Sequence, residues 1–214
     1  MLRGLPDVPT LISYAITLVI ALSLHELAHA LVADYLGDST PRRMGRLTLN
    51  PLAHLDPFGA LMFVLVGFGW AKPVMTNPYN FRNGPRTGMA LVASAGPLMN
   101  LALAVLAAVP FRFGLVSVSR ETLLGGILPA PAYFLSVFLF SNVALAVFNL
   151  LPIGPLDGLK VLRGFAPRAW DTALETLERW GMFILLALIF LPINLLGLLI
   201  TTPAQIIIRL LLGL

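Results

Sequence analysis

Residues 10–36, TLISYAITLVIALSLHELAHALVADYL, form a long apolar stretch near the start of the chain. As an α-helix rising about 1.5 Å per residue, this stretch is long enough to cross the roughly 30 Å hydrocarbon core of a bilayer. Gly37 follows it directly and Pro41 lies shortly beyond, which is typical of a helix end. These residues therefore predict a membrane-spanning helix, and the polar residues within it distinguish it from a removable export signal.

The rest of the chain is similarly apolar. Hydrophobic residues make up 58% of its 214 residues and charged residues 11%, and the mean hydropathy is +0.89, which excludes an ordinary soluble domain. The absence of cysteine excludes disulfides, thiolate metal ligands and a cysteine nucleophile. The net charge of +4 does not indicate nucleic-acid binding, because the basic residues lie in short loops between apolar segments. We therefore predict an integral membrane protein whose partner is the lipid bilayer and not nucleic acid.

Further apolar segments set the number of membrane spans. Three of them are long enough to cross the bilayer, and a fourth is too short and predicts a re-entrant or half-spanning element. A charged stretch predicts an interfacial helix, and a short apolar helix ends the chain. The spans are residues 89–109, 131–151 and 183–200, with Pro192 as a kink; the half-span is 58–70, the interfacial helix is 160–180, and the apolar tail begins at Pro203.

The predicted fold class is therefore an all-α polytopic membrane protein with about four full transmembrane helices. We expect one membrane-embedded domain over residues 1–214, with a core at about 10–165 and C-terminal helices at 166–214. Placing residues 37–57, 71–86 and 157–180 on one side of the membrane gathers ten of the 14 Lys and Arg residues there. Because cytoplasmic loops are enriched in basic residues, this arrangement predicts an N-terminus outside the cell.

The first predicted span contains three ionisable side chains, His25, Glu26 and His29. Such groups are costly inside a membrane and are usually functional. Four residues apart on a helix, the two imidazoles share a face and can reach one metal ion, with the glutamate beside them. This His-Glu-x-x-His pattern is typical of zinc hydrolases, in which zinc lowers the pKa of water and the glutamate takes and returns its proton. The alternative is that the three side chains pair with one another in a helical bundle.

A catalytic zinc ion takes three protein ligands and keeps one open position. The further candidates for a ligand are His54, Asp34, Asp56 and Asp157. We favour Asp157, since it follows a Pro- and Gly-broken segment after a span and lies on the same predicted side of the membrane as His29. The alternative role for Asp157 is an N-cap for the helix that follows it.

At these residues the chain resembles the site-2 proteases, a family of intramembrane zinc metalloproteases. The stretch from His25 to His29 is similar to their first signature, and Asn149-x-x-Pro152 with Leu156-Asp157-Gly158 is similar to the second. Residues 95–100, Ala-Gly-Pro-Leu-Met-Asn, resemble a Gly-Pro-x-x-Asn element of the helix between the two motifs. Residues 50–57 and 69–73 look like the minimal bacterial and archaeal branch, and no insert is long enough for a PDZ or CBS module.

The resemblance implies that His25, His29 and Asp157 bind one catalytic Zn²⁺ and that Glu26 is the general base. It implies hydrolysis of peptide bonds in or near transmembrane segments of membrane-protein substrates, at the cytoplasmic face of a prokaryotic cell membrane. The alternatives are a metal-binding transporter and a proteolytically inactive relative that binds membrane segments. A transport site does not require Glu26 at its position, and the intact signatures disfavour an inactive relative.

Hydrolysis also requires an unfolded substrate strand, because a helix hides its carbonyls in its own hydrogen bonds. Residues 69–74 predict an edge that pairs with such a strand, built from Gly69, Trp70 and their neighbours as one of a few short β-strands near the site. The alternative is an ordinary loop. We expect Lys72 to extend toward the lipid headgroups.

The remaining polar candidates are asparagines and one histidine. An amide in an apolar helix needs a partner, so Asn100 is expected to join helices, to steady the backbone between Asn149 and Asp157, or to donate to an oxyanion. The same alternatives apply to Asn142 and Asn149. His54 is expected to be a loop residue near the site, with the role of an outer partner or a metal ligand as the alternative.

Overall fold

A computed structural model describes residues 7–59, 62, 70–117, 128–190 and 195–214. Its long helices begin where proline or an N-cap allows, since proline is pre-organised for the first helical turn and lacks only an N–H group that has no partner there. Asp7, for example, accepts a hydrogen bond from the Thr10 N–H group at 3.0 Å. The α-helices are α1 (Val8–Tyr35), α2 (Thr40–Arg43), α3 (Pro85–Arg112), α4 (Pro131–Asn149), α5 (Asp157–Phe165), α6 (Asp171–Phe190) and α7 (Leu195–Leu212).

Among the described residues, four helices are long and apolar enough to cross a membrane: α1, α3, α4 and α7. The predicted helical fold with about four spans is confirmed in this respect. The predicted last span at residues 183–200 covers the end of α6 and the start of α7, and the residues between Phe190 and Leu195 lie outside the described part of the chain, so this span stays a prediction. The expected short tail from Pro203 is wrong, because Pro203 lies inside α7. Pro192, the predicted kink, lies outside the described residues.

The interfacial helix predicted at 160–180 is divided in the structure. Helix α5 ends at Phe165, a short 3₁₀ turn covers Arg168–Trp170, and α6 begins at Asp171. Pro167 precedes the turn and explains the break, because proline lacks an N–H group and clashes with a preceding helical turn. Two helices joined by a short 3₁₀ turn therefore replace the single predicted one.

The predicted β-strands are absent from the described part of the chain. One isolated antiparallel bridge joins Leu55 and Ala71, and no ladder continues it. Pro73 has no N–H group to extend the pairing, and the neighbouring carbonyls are bonded to a side chain instead. The predicted re-entrant segment 58–70 lies mostly outside the described residues, so it stays a prediction.

Helix α3 occupies the centre of the bundle and packs against α1, α4, α5 and α7. Its buried face carries small residues, which let neighbouring backbones approach closely. They are Gly88, Ala90, Ala93, Gly96, Ala104, Ala107 and Ala108. Because α3 contacts both α1 and α5, it joins the helix that bears the His-Glu-x-x-His motif to the helix that begins with Asp157.

The segment between α4 and α5 is held by glycine contacts. A Cβ atom added at Gly181 of α6 would overlap the carbonyl oxygen of Gly154, and one added at Gly158 would overlap the Leu150 carbonyl oxygen. Since these contacts are made by backbone atoms, there is no flexible side chain to move aside. Helix α6 thereby fixes the position at which α5 begins.

Candidate active site

Three side chains from two helices converge at the buried junction of α1 and α5. His25 and His29 lie one helical turn apart on α1, and Asp157 is the first residue of α5. The two imidazole Nε2 atoms are 3.0 Å apart, and each lies 3.2 Å from Asp157 Oδ2. All three residues are buried, with exposures of 5%, 7% and 8%. The sequence prediction had grouped these same residues.

The outer nitrogen of His25 is fixed by a chain of amides. Its Nδ1 lies 2.6 Å from Asn100 Oδ1, and Asn100 Nδ2 donates to Asn142 Oδ1 at 3.0 Å. Because the Asn100 amide nitrogen is committed to Asn142, the atom facing His25 is an oxygen, and Nδ1 must donate. The Nε2 atom of His25 is therefore the one with the free electron pair.

His29 is fixed in the same way by main chain. Its Nδ1 donates to the carbonyl oxygen of Val92 on α3 at 2.7 Å, so its Nε2 also carries a free electron pair. Two imidazole Nε2 atoms and one carboxylate oxygen thus face one another at 3.0–3.2 Å. A cation bound by all three would stabilise such a buried cluster.

The donor set suits zinc. Nitrogen and oxygen ligands bound at about 2.0–2.2 Å in a tetrahedral arrangement lie roughly 3.3 Å from one another, close to the separations of the three atoms in this cluster. Within the described residues, His25, His29 and Asp157 form the one group of three that could hold a metal ion. His54, Asp34 and Asp56 are not part of it.

Gly96 of α3 makes room for the two imidazoles. A Cβ atom added there would overlap the Nε2 atoms of both His25 and His29. Gly96 belongs to the Gly-Pro-x-x-Asn element noted in the sequence, but its steric role was not predicted. The small-residue pattern on an apolar helix was the available signal, although it does not say which side chain needs the space.

Glu26 lies beside the cluster and lines a cavity. Its Oε2 accepts a hydrogen bond from the backbone N–H of Val74 at 3.1 Å. The cavity has a volume of about 630 Å³ and is lined by the cluster, by the segment 70–76 and by apolar side chains of α4 and α6. Among the latter are Leu145, Phe148, Met182 and Leu185. The carboxylate therefore faces an apolar chamber large enough for a peptide segment.

Lys160 is a cation at this cavity that was not predicted as a site residue from the sequence. It lies one turn after Asp157 on α5, and its Nζ is 3.8 Å from Asp157 Oδ1. The spacing of three residues after the predicted ligand was a usable signal, because such residues share a helix face. The Val74 amide could not be found in this way, because any residue can supply an amide.

Of the other predicted residues, some line the cavity and others do not. Trp70 and Asn149 line the cavity, and Asn149 donates to the Leu145 carbonyl at 3.0 Å. His54 is fully buried, and its Nε2 bonds to the Thr48 carbonyl oxygen at 2.8 Å. The side chain of Lys72 is exposed, while Gly69 lies outside the described residues.

Fold and site together define a membrane-embedded metalloprotease. Two overlapping stretches of the chain, residues 13–127 and 113–192, match the profile of Peptidase family M50. The chain therefore belongs to peptidase family M50, the family of the site-2 proteases, and this confirms the predicted resemblance and the zinc cofactor.

Named relatives agree with this assignment. The chain is 38% identical over 179 residues to "Putative zinc metalloprotease YwhC" of Bacillus subtilis, covering 84% of this chain and 80% of the relative. It is 32% identical to "Putative zinc metalloprotease Rip2" of Mycolicibacterium smegmatis and of Mycobacterium tuberculosis, covering 81% of this chain and 65% of each relative. The chain thus spans less than two thirds of the mycobacterial relatives. No solved structure matches it at a comparable level of significance.

Proposed function

We propose that this protein hydrolyses peptide bonds in or near transmembrane segments of membrane proteins. His25, His29 and Asp157 hold one zinc ion, and Glu26 is the general base. The observation that carries the proposal is the convergence of three electron-pair donors beside a glutamate, on the wall of an apolar cavity inside a helical bundle.

Bound zinc supplies a Lewis acid and lowers the pKa of water toward neutrality. The residues of the chain do the rest. The Glu26 carboxylate takes the proton of the attacking water and returns it to the leaving amine, and the Val74 N–H group holds that carboxylate at 3.1 Å. Asn100 and the Val92 carbonyl keep both imidazoles in the tautomer that leaves Nε2 free.

The segment 70–77 supplies a partner for the substrate backbone. Val74 and Thr76 line the cavity, whereas Met75 between them is 57% exposed, an alternation expected of extended chain. Among the described residues, the backbone N–H groups of Met75 and Thr76 make no hydrogen bond. These free groups support pairing with an unwound substrate strand.

The proposal also includes a placement in the membrane. The chain forms one metalloprotease domain over residues 1–214, and its N-terminus lies outside a prokaryotic cell membrane. The predicted cytoplasmic side then carries the C-terminal end of α1, the segment 70–77 and α5. The site consequently lies near the cytoplasmic face, where water and a partly extracted substrate meet.

The test is cleavage of single-span substrates by purified protein in proteoliposomes, with and without a chelator. We expect Glu26→Gln to retain one zinc ion per chain and to lose cleavage by a factor of at least about 10², the lower part of the general-base range. Glu175→Gln is the matched control, because Glu175 is exposed on α6 and does not line the cavity.

Cleavage that is unaffected by the chelator and by Glu26→Gln would contradict the proposal. Zinc movement across the vesicle membrane, without any cleavage, would support a transporter instead. An inactive relative would bind the substrates and leave them intact in every arm.

A further inference from the structure

Arg46 is a buried cation held entirely by backbone carbonyls. Its side chain is in the loop after α2, and the residue is 3% exposed. Nη1 donates to the Ala53 carbonyl at 2.6 Å and to the Lys72 carbonyl at 3.0 Å, and Nη2 donates to the Pro73 carbonyl at 3.0 Å. Within the described part of the chain no carboxylate pairs with it. Burying a charge costs free energy. The burial of the Arg46 guanidinium against the carbonyls of residues 72–73 therefore indicates a specific role.

Asp38 is the matching buried anion at the other end of the same segment. It is fully buried just beyond α1, and it accepts from the Asn77 N–H group at 2.6 Å and from Asn80 Nδ2 at 2.9 Å. Thr40 completes the set with its N–H and hydroxyl groups at 3.1 and 2.6 Å. The carboxylate thus ties the end of the segment 70–77 to the end of α1.

These two anchors enclose the residues that face the active site. The Arg46 guanidinium donates hydrogen bonds to the carbonyls of residues 72–73, and the Asp38 carboxylate accepts one from the amide of residue 77. Between them, Val74 bonds to Glu26 and Thr76 lines the cavity. Neither Arg46 nor Asp38 lines the cavity, so neither touches a bound substrate.

We propose that Arg46 and Asp38 are positioning residues that fix the register of residues 74–76 against Glu26 and thereby select which substrate peptide bond is cut. The inference rests on the proposed function. A slip of one residue moves an extended chain by about 3.3 Å and turns each side chain to the opposite face. An edge that is held at both ends presents its free amides at one fixed distance from the glutamate, so the paired substrate is cut at one bond.

The charges suit this task better than apolar packing would. Arginine presents a rigid planar fork of donors, so its bonds to several carbonyls fix both position and orientation. The Asp38 carboxylate accepts four hydrogen bonds, one of them from the amide of residue 77. The exposed side chains of Lys72 and Met75 contribute nothing to this fixation.

The test compares Arg46→Gln, Arg46→Lys and Asp38→Asn with the unmodified protein and with Arg168→Gln, an exposed arginine outside the network. Two readouts are needed. Hydrogen exchange on the protein alone reports how firmly residues 70–77 are held, and mass spectrometry of the products identifies each bond cut in a single-span substrate. Zinc content is measured for every variant.

We expect the hydrogen-bonded amides of Lys72, Val74 and Asn77 to exchange at least about tenfold faster in Arg46→Gln and Asp38→Asn, with zinc content unchanged. We expect the cuts to spread from one dominant bond to bonds one or two residues away, and Arg46→Lys to show a smaller spread. Arg168→Gln should match the unmodified protein in both readouts. If Arg46→Gln does not accumulate as folded protein, Arg46→Lys and Asp38→Asn decide the question.

Unchanged exchange in residues 70–77 would overturn the inference. So would faster exchange with every cut still at the original bond, because the two residues would then serve stability alone. A failure of the unmodified protein to cut any substrate contradicts the proposed function instead, and the exchange readout separates that result from a failure of the anchors.

Discussion

Asn100 Oδ1 lies 2.6 Å from His25 Nδ1, across the interface between α3 and α1. The amide is fully buried, and its nitrogen is already bonded to Asn142 on α4. One side chain therefore links three helices and sets the protonation of an imidazole. The consequences for metal affinity can be measured directly.

We expect Asn100→Ala to weaken zinc binding by roughly 10–100-fold, the usual cost of removing an outer partner of a metal-ligating histidine. Competition with a chromophoric chelator measures the affinity. The control is Asn149→Ala, because that amide lines the cavity but bonds only to its own helix. An affinity that matches the unmodified protein would show that Asn100 serves helix packing alone.

Gly96→Ala should abolish stoichiometric zinc binding, since the added methyl group would occupy the space of both imidazole Nε2 atoms. The metal content of purified protein measures the effect. Ser94→Ala on the same helix is the control, because its hydroxyl bonds only to the Ala90 carbonyl. Full zinc occupancy in Gly96→Ala would mean that α1 and α3 separate more easily than their packing indicates.

Gly181→Ala should lower both stability and zinc affinity, although Gly181 touches no ligand. The new methyl group would push α6 away from Gly154, and overpacking of this kind costs about 1–3 kcal/mol. The displacement would be transmitted along residues 154–156 to Asp157. Thermal unfolding and chelator competition measure the two effects, and Thr176→Ala at an exposed position of α6 is the control. A loss of stability with intact zinc affinity would contradict the transmitted displacement.

The Asp38 network predicts a dependence of stability on pH. Burial alone would raise the pKa of the Asp38 carboxyl, but hydrogen bonds from Thr40, Asn80 and Asn77 hold this pKa below its usual range. A carboxyl with a lowered pKa in the folded state stabilises the fold above its unfolded pKa of about 3.9. That contribution is lost as the pH falls through the folded value.

The unmodified protein should therefore be more stable than Asp38→Asn at pH 7, and the difference should shrink below about pH 4. Thermal unfolding in detergent over this range measures it. The neighbouring Asp34 forms an exposed pair with Arg42, so Asp34→Asn should give a much smaller difference. A stability difference between the unmodified protein and Asp38→Asn that is independent of pH would contradict the assignment.

The sequence was sufficient to predict those helices and site residues whose positions depend on local interactions. The spacing of His25 and His29 on one helix face follows from helix geometry, and the apolar stretches that became α1, α3 and α4 have clear limits. Asp157 was reached by combining chemistry with predicted topology. The structure brings His25, His29 and Asp157 together, and we propose their roles in catalysis.

The sequence was insufficient to predict those features that depend on packing between distant parts of the chain. Pro203 suggested the start of a short tail, yet it lies within α7, because an apolar helix of that length tolerates a proline when its neighbours satisfy the freed carbonyl. The contacts of Arg46 with residues 53, 72 and 73 join parts of the chain that no periodicity links. A backbone donor such as Val74 N–H leaves no mark in the sequence at all.

At residues 72, 73 and 77, the segment that lines the cavity is held by Arg46 and Asp38 through its main-chain atoms. We therefore expect Arg46 and Asp38 to tolerate few substitutions, whereas the exposed side chains of Lys72 and Met75 can be replaced. Drift at those open positions would alter the surface offered to incoming polypeptides without disturbing the metal ligands. A lineage of such proteins can thus diversify its targets while conserving its chemistry.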